Sequence, residues 1–443
     1  MDLQITPRKL SGAVTPPPSK SQAHRLLIAA ALAEGESTLH NIALSQDIEA
    51  TLRCVTALGG RWTETAPGTL TVTGIGGRRP SGGDLPRLDC GESGSTLRFF
   101  IPIALAVAGG GVFTGRGRLM ERPQGPYFQL FAKKGIFCEQ KDGVLTVRGT
   151  LTPGEYALPG NVSSQFFTGL LFALPLLDGD SVIRSTTEVE SKGYISITRD
   201  VLKTAGVETA CTGDFRELTV HGGTYRPFAA AVEADWSQAA FWYTAQGLGS
   251  DLTIQGMNPH SIQGDRVMAD FAEMLRGEPL SGAVTGPVLG RSGSPAARPH
   301  TRPERPGWAT PCVGSVSLPL THCPDLAPPL AAWGALLNGT LYLKDAARLR
   351  IKESDRLSTI TAALTALGAE VHEEPDRLII VGKPSLPGGT VDSANDHRIA
   401  MAAAIAATGC TGPVTIRGAE CVQKSYPDFW EVYQSLGGDI RVL

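Results

Sequence analysis

Residues 353–382 read ESDRLSTITAALTALGAEVHEEPDRLIIVG, and this stretch decides the fold class. Leu357, Ile360, Leu364 and Leu367 recur at helical spacing, and Gly368 follows where helices usually end in a left-handed residue. The remainder alternates apolar and polar residues on both sides of a turn, which predicts two strands. Residues 47–74, DIEATLRCVTALGGRWTETAPGTLTVTG, repeat the order of helix, glycine, strand, turn and strand. Further copies begin at Gln124, Tyr194, Asp265 and, truncated, at Tyr426.

A second unit alternates with the first. It is a small polar cluster, an apolar helix and a glycine-punctuated β segment, as in PSKSQAHRLLIAAALAEGESTLHNI, GESGSTLRFFIPIALAVAGGGVFTG and NDHRIAMAAAIAATGCTGPVTIRG. The full period recurs about every 70 residues and is found six times, with one interval stretched to about 90. The excess is residues 276–311, whose Pro, Gly, Arg and Ala bias reads as an irregular loop replacing a strand pair. Paired second strands interrupt the alternation that a Rossmann or TIM fold needs, so the expectation is an α/β protein of α+β repeats, three to a domain.

Composition bounds the function. With 443 residues, 42% hydrophobic and a net charge of −3, the chain reads as a globular protein without the basic field that draws nucleic acid. Its 8 cysteines form no C-x-x-C pair, which argues against a zinc site or a disulfide scaffold and for a reducing cytosol. The N-terminal residues have no apolar leader, and no run approaches a membrane span; the longest, Phe99 to Val107, reads as a core helix.

All six apolar helices open on Ser, Asp or Asn clusters, and helix N-termini present free N–H groups and positive dipole ends. Converging on one cleft, they would bind anions. Lys20, Ser21 and Arg25 offer a point charge, a hydroxyl and a fork, which is phosphate chemistry, although a Ser cap followed by surface cations reads equally from this segment alone. The turn around Gly94 and the hydroxyls Ser163 and Ser164 beside Gln165 carry the same two readings, and so does Ser191. Asp325 stands alone as an acid in a long apolar-leaning run, as a helix cap or as a catalytic acid/base. Taken together, Lys20, Lys352, Lys424, Arg25, Arg122, Arg356 and Arg398 with Asp325, Glu353 and Asp396 describe a site for polyanionic substrates with groups able to move protons.

These motifs closely resemble the 5-enolpyruvylshikimate-3-phosphate synthase family of enolpyruvyl transferases: PPSKSQAHR, GESGSTLR, ERPQGP, VSSQ, SKGY, PD, KESDR, NDHR and KSYPDF occur in the family's order. The resemblance implies a two-domain inside-out α/β barrel, each domain built of three βαβαββ repeats about a pseudo-threefold axis. One domain would be residues 19–233, on the shikimate-phosphate side. The other, residues 1–18 plus 234–443, would carry the phosphoenolpyruvate and acid/base side. It implies that Lys20, Ser21, Arg25, Ser163, Ser164, Gln165, Ser191, Asp325 and Lys352 hold shikimate 3-phosphate, and that Lys20, Gly94, Arg122, Gln165, Arg356, Arg398 and Lys424 hold phosphoenolpyruvate. Asp325, Glu353 and Lys20 would be catalytic.

The implied activity is enolpyruvyl transfer by a cytoplasmic monomer, with no metal, no cofactor, no nucleic acid and no membrane. Two departures accompany the resemblance: Glu92 stands where other members often have asparagine, and Arg348 where an asparagine often contacts the shikimate phosphate. The related transferase acting on UDP-N-acetylglucosamine carries a reactive loop cysteine, and residues 111–126 contain none. A non-catalytic binder of the same anions is the other alternative, opposed by the presence of Lys20, Asp325 and Glu353.

Overall fold

The computed structural model describes residues 1–77, 84–277 and 314–443. The expected irregular loop at 276–311 therefore lies outside the described residues from 278 onward. Where a repeat is fully described, a parallel strand pair is joined through a buried helix, and a second helix leads into a hairpin whose returning strand closes on the pair. Arg87–Asp89 pairs parallel with Gly110–Thr114, which pairs antiparallel with Val144–Arg148, and Phe137–Lys141 forms the edge. Ser315–Pro319, Thr340–Lys344, Arg377–Val381 and Glu370–Glu374 repeat this order, the last two being the strands read from 353–382. Gly368 has φ +93°, as its role in stopping the preceding helix requires.

Three repeats take strands from distant chain. Ala229–Ala231 lies parallel to Glu36–His40, and Ser11–Val14 lies parallel to Asp251–Ile254. Leu3–Thr6 inserts antiparallel between Val414–Arg417 and Asp439–Val442. One buried cluster gathers residues from Ala23 to Val232, and a second gathers Leu3 to Val14 with Ala240 to Leu436. The two passages of chain between these cores are bonded to each other: Ser19 N donates to Glu233 O at 2.8 Å and Asp235 N to Pro17 O at 2.8 Å.

The helices inside each core are apolar nearly all round, because they are covered by sheets and by one another. Gly94–Ala108, the helix expected from the Phe99–Val107 run, contains Pro102, which cannot donate to the carbonyl of Arg98. The Tyr127 hydroxyl lies 3.0 Å from that carbonyl and 2.9 Å from Phe166 O, so its one proton is shared between two acceptors and partly replaces the missing hydrogen bond. Gly169, on the helix Ser164–Ala173, lets the two helices meet there: a Cβ at 169 would lie 2.3 Å from the Tyr127 oxygen. No helix among the described residues is long and apolar enough to cross a membrane.

Candidate active site

Five of the six buried helices open as the sequence predicts. Ser19, Ser93, Ser163, Asp235 and Asp396 each accept a hydrogen bond from the first turn of their own helix. The fifth opening in chain order departs from the expectation. Pro324–Leu326 is a 3₁₀ turn, and the cap of Ala327–Gly334 is Leu326, with no side-chain cap bond. This overturns the reading of Asp325 as a helix cap and leaves its carboxylate directed elsewhere.

Asp325 is the hub of a cluster. Its Oδ1 is 2.9 Å from Arg356 Nη1 and 3.2 Å from Lys352 Nζ; its Oδ2 is 3.3 Å from Arg398 Nη2 and accepts from the Tyr194 hydroxyl at 3.1 Å. Burial by itself would raise its pKa, but Arg398, Lys352 and Arg356 together hold it well below the usual carboxylate range. Arg356, 1% exposed, also grips Glu353 Oε2 at 2.7 Å and Asp396 Oδ2 at 2.8 Å. Glu353 is likewise held well below its ordinary value, against burial, by Arg356, Arg122 and Lys352.

Arg122 reaches Glu353 Oε1 at 3.8 Å from the other half of the molecule. Its guanidinium lies directly over the glycine turn, where a Cβ at Gly94 would fall 2.5 Å from Arg122 Nη1. Lys424 Nζ is 2.5 Å from Glu92 Oε2, again across the two halves. Lys20 Nζ pairs with Asp47 at 2.8 Å, while its backbone N–H donates to Asp235.

The hydroxyl-rich side is built from the first core. Arg25 is 2% exposed and donates to Thr198 Oγ1, Thr168 Oγ1 and the carbonyl of Ser21. Among the described residues no carboxylate pairs with it, and burial lowers its pKa to about 10. Gln165 is fixed by Arg98 Nη1 at 2.6 Å and Ser95 Oγ at 3.0 Å, at the mouth of the helix that Ser163 caps and Ser164 begins. Ser191 sits in the left-handed region at φ 54° and accepts from Arg348 Nη1 at 3.1 Å. Arg348 also pairs with Glu190 and donates to Thr321 O at 2.6 Å.

Four contributors were given no role by sequence reasoning, although Arg98 and Tyr194 stood within the motifs GESGSTLR and SKGY. Arg98, 2% exposed and without a carboxylate partner among the described residues, was legible only as part of a glycine motif; burial lowers its pKa to about 9. Asp47 was legible only as the start of an amphipathic helix. Tyr194 and Asp265 belong together: the tyrosine hydroxyl lies 3.3 Å from Asp265 Oδ2 as well as against Asp325. Asp265 is 4% exposed, its Oδ1 has no hydrogen-bond partner, and burial followed by repulsion from Asp325 raises its pKa to about 7.

Buried guanidinium groups without carboxylates are costly unless an anion completes them. Beside them stand ionised carboxylates able to accept protons and cations able to stabilise developing negative charge. A two-anion condensation with proton transfer fits this arrangement.

A family model described as EPSP synthase (3-phosphoshikimate 1-carboxyvinyltransferase) matches residues 5–433. The 3-phosphoshikimate 1-carboxyvinyltransferase of Clostridium kluyveri is 43% identical, covering 99% of this chain and 98% of that protein. Its Clostridium acetobutylicum counterpart is 41% identical with the same coverage. Among solved structures, an EPSP synthase from Acinetobacter baumannii superposes with a TM-score of 0.75 at 23% identity, covering 100% of both chains. The enolpyruvyl transferase NikO from Streptomyces tendae has a TM-score of 0.74 at 18% identity, covering 99% of this chain and 98% of that one.

Proposed function

The chain belongs to the EPSP synthase family, a transferase family of the shikimate pathway that moves the enolpyruvyl group of phosphoenolpyruvate onto shikimate 3-phosphate, and from that premise we propose how its residues divide the work. Arg25, Ser21, Ser163, Ser164, Gln165, Ser191 and Lys352 hold shikimate 3-phosphate, the unpaired Arg25 guanidinium meeting one of its anionic groups. Arg122, Arg398, Lys424, Gln165 and the Gly94 turn hold phosphoenolpyruvate, with Lys20 between the substrates. Arg356 directs N–H groups at Asp325, Glu353 and Asp396, so it organises the carboxylates while offering its remaining donor to ligand.

In the first step the 5-hydroxyl oxygen bonds to C2 of phosphoenolpyruvate while C3 takes a proton and becomes a methyl group. The hydroxyl proton passes to a carboxylate, and a tetrahedral ketal results. The C2–O bond to phosphate then breaks, a methyl proton leaves and the double bond re-forms. Asp325 and Glu353 exchange these protons, assisted by Lys20. Asp325 is ionised and ready to accept one; its basicity rises as substrate anions draw Arg398 and Lys352 away from it.

The observation that carries this reading is the convergence on Asp325 of Tyr194 from one half and Lys352, Arg356 and Arg398 from the other. Residues 19–233 and 1–18 plus 234–443 are the two bodies that close on substrate. The described cysteines are free thiols, which fits a reducing setting. Phosphate release with both substrates, compared with each alone, tests the activity; no release with both rejects it.

A further inference from the structure

Glu92 and Lys424 meet across the cleft with every group around them in place to hold the pair. Lys424 Nζ lies 2.5 Å from Glu92 Oε2 and donates to Asn395 O at 2.7 Å, which leaves one of its three N–H groups for a ligand. The Asn395 amide donates to both Glu92 oxygens, at 3.3 and 3.1 Å. Ala394 and Asn395 are both left-handed, at φ 50° and 56°, which turns this amide towards the carboxylate. Gly117, at φ +55°, makes room: a Cβ there would lie 2.8 Å from Glu92 Oε2. The Lys424 side chain is 6% exposed and that of Glu92 30%, so the lysine is fixed while the carboxylate has a way out to solvent.

We propose that Glu92 is a specificity-determining residue that competes with the phosphate of phosphoenolpyruvate for the Lys424 ammonium and returns to it as inorganic phosphate departs. The inference rests on the assignment of Lys424 to phosphoenolpyruvate above. A phosphate dianion arriving at Lys424 meets a carboxylate already hydrogen-bonded there, and two anions at one buried ammonium repel strongly. The free N–H can begin the contact, but full engagement of the phosphate requires the Glu92 carboxylate to leave the ammonium and turn outward. That requirement weakens phosphoenolpyruvate and phosphate alike and leaves shikimate 3-phosphate untouched. The same carboxylate, returning, lowers the retention of the phosphate product.

The test is steady-state kinetics of Glu92→Gln, which keeps the side-chain length and removes the charge. The KM for phosphoenolpyruvate and the inhibition constant of inorganic phosphate against it should both fall about tenfold, with the KM for shikimate 3-phosphate unchanged. An unchanged or raised KM for phosphoenolpyruvate overturns the inference, since Glu92 would then be neutral or would position Lys424 for its ligand. Lys424→Gln separates this failure from failure of the underlying assignment. If Lys424→Gln raises the KM for phosphoenolpyruvate while Glu92→Gln does not lower it, only the competition is wrong. If Lys424→Gln leaves that KM unchanged, Lys424 does not hold phosphoenolpyruvate and both fall. In the double variant the Glu92 effect should vanish, because the two residues act through one contact.

Discussion

Asp325→Asn is the sharpest perturbation of the site, because the carboxylate has four partners and the amide can serve only some of them. Oδ1 accepts from Lys352 and Arg356, and Oδ2 from Tyr194 and Arg398. An asparagine keeps one acceptor atom and turns an NH₂ group towards cations, whichever way it is rotated. Removing one member of a buried ion pair costs about 3–5 kcal/mol. Here Arg356 retains Glu353 and Asp396 and Arg398 retains Ser237, so the loss should lie near the lower end, at about 3 kcal/mol.

Turnover should fall by roughly 10²–10⁴ if Asp325 exchanges a proton with the substrate hydroxyl. Shikimate 3-phosphate binding should change much less. Phosphate release below the melting temperature of the variant, with calorimetric binding of shikimate 3-phosphate, separates the two effects. Near-wild-type turnover would remove Asp325 from the chemistry and leave Glu353 and Lys20 as the proton carriers. The pH dependence has a definite sign: the depressed Asp325 contributes stability above the ordinary carboxylate range, lost only as pH falls through its lower folded value.

Asp265 behaves oppositely: with its pKa raised to about 7, the folded protein holds a proton that the unfolded chain has lost, so stability declines as pH rises from about 4 to 7. Asp265→Asn keeps a hydrogen-bonding group against the Tyr194 oxygen without a titrating proton and should flatten that decline in melting temperature; an unchanged slope would place the proton elsewhere. Arg122→Lys should raise the KM for phosphoenolpyruvate much more than that for shikimate 3-phosphate, because a point charge cannot reproduce a fork; equal losses would reject the division of substrates. Gly169→Ala should lower stability by about 1–3 kcal/mol in urea unfolding, since its Cβ drives the Tyr127 hydroxyl from the Arg98 carbonyl; a neutral result would mean that the two helices separate without penalty.

Local pattern made the repeats legible. The Leu357 to Leu367 spacing, the Gly368 stop and the alternating strands after it are all carried by neighbours in sequence, and the structure follows them. The cations at helix openings were legible for the same reason. What escaped depends on distance along the chain: Tyr194 meets Asp325 across 131 residues, and nothing beside either residue announces the contact. Asp265 looked like an ordinary acid at the start of an amphipathic helix, because the groups that surround it, Tyr194, Asp235, Asp325 and Arg398, are all distant in sequence. Pro102 read as an unremarkable residue of an apolar helix, and only Tyr127, reaching in from another helix, reveals the carbonyl that it leaves open.

The one opening that broke the sequence rule is also the one that supplies the proposed base, and the two facts have a common cause. A capping side chain normally accepts from the N–H of the second or third helical residue. In the helix Ala327–Gly334 those residues are Pro328 and Pro329, which have no N–H to offer. The other five openings each commit an oxygen to their own helix; Asp396 does so with Oδ1, which accepts from Arg398 N, while Oδ2 serves Arg356. Asp325, one residue before the cap position, has no such local demand on it. Both of its oxygens are therefore available to Tyr194, Lys352, Arg356 and Arg398, and the two prolines of the first turn are what free the carboxylate for chemistry.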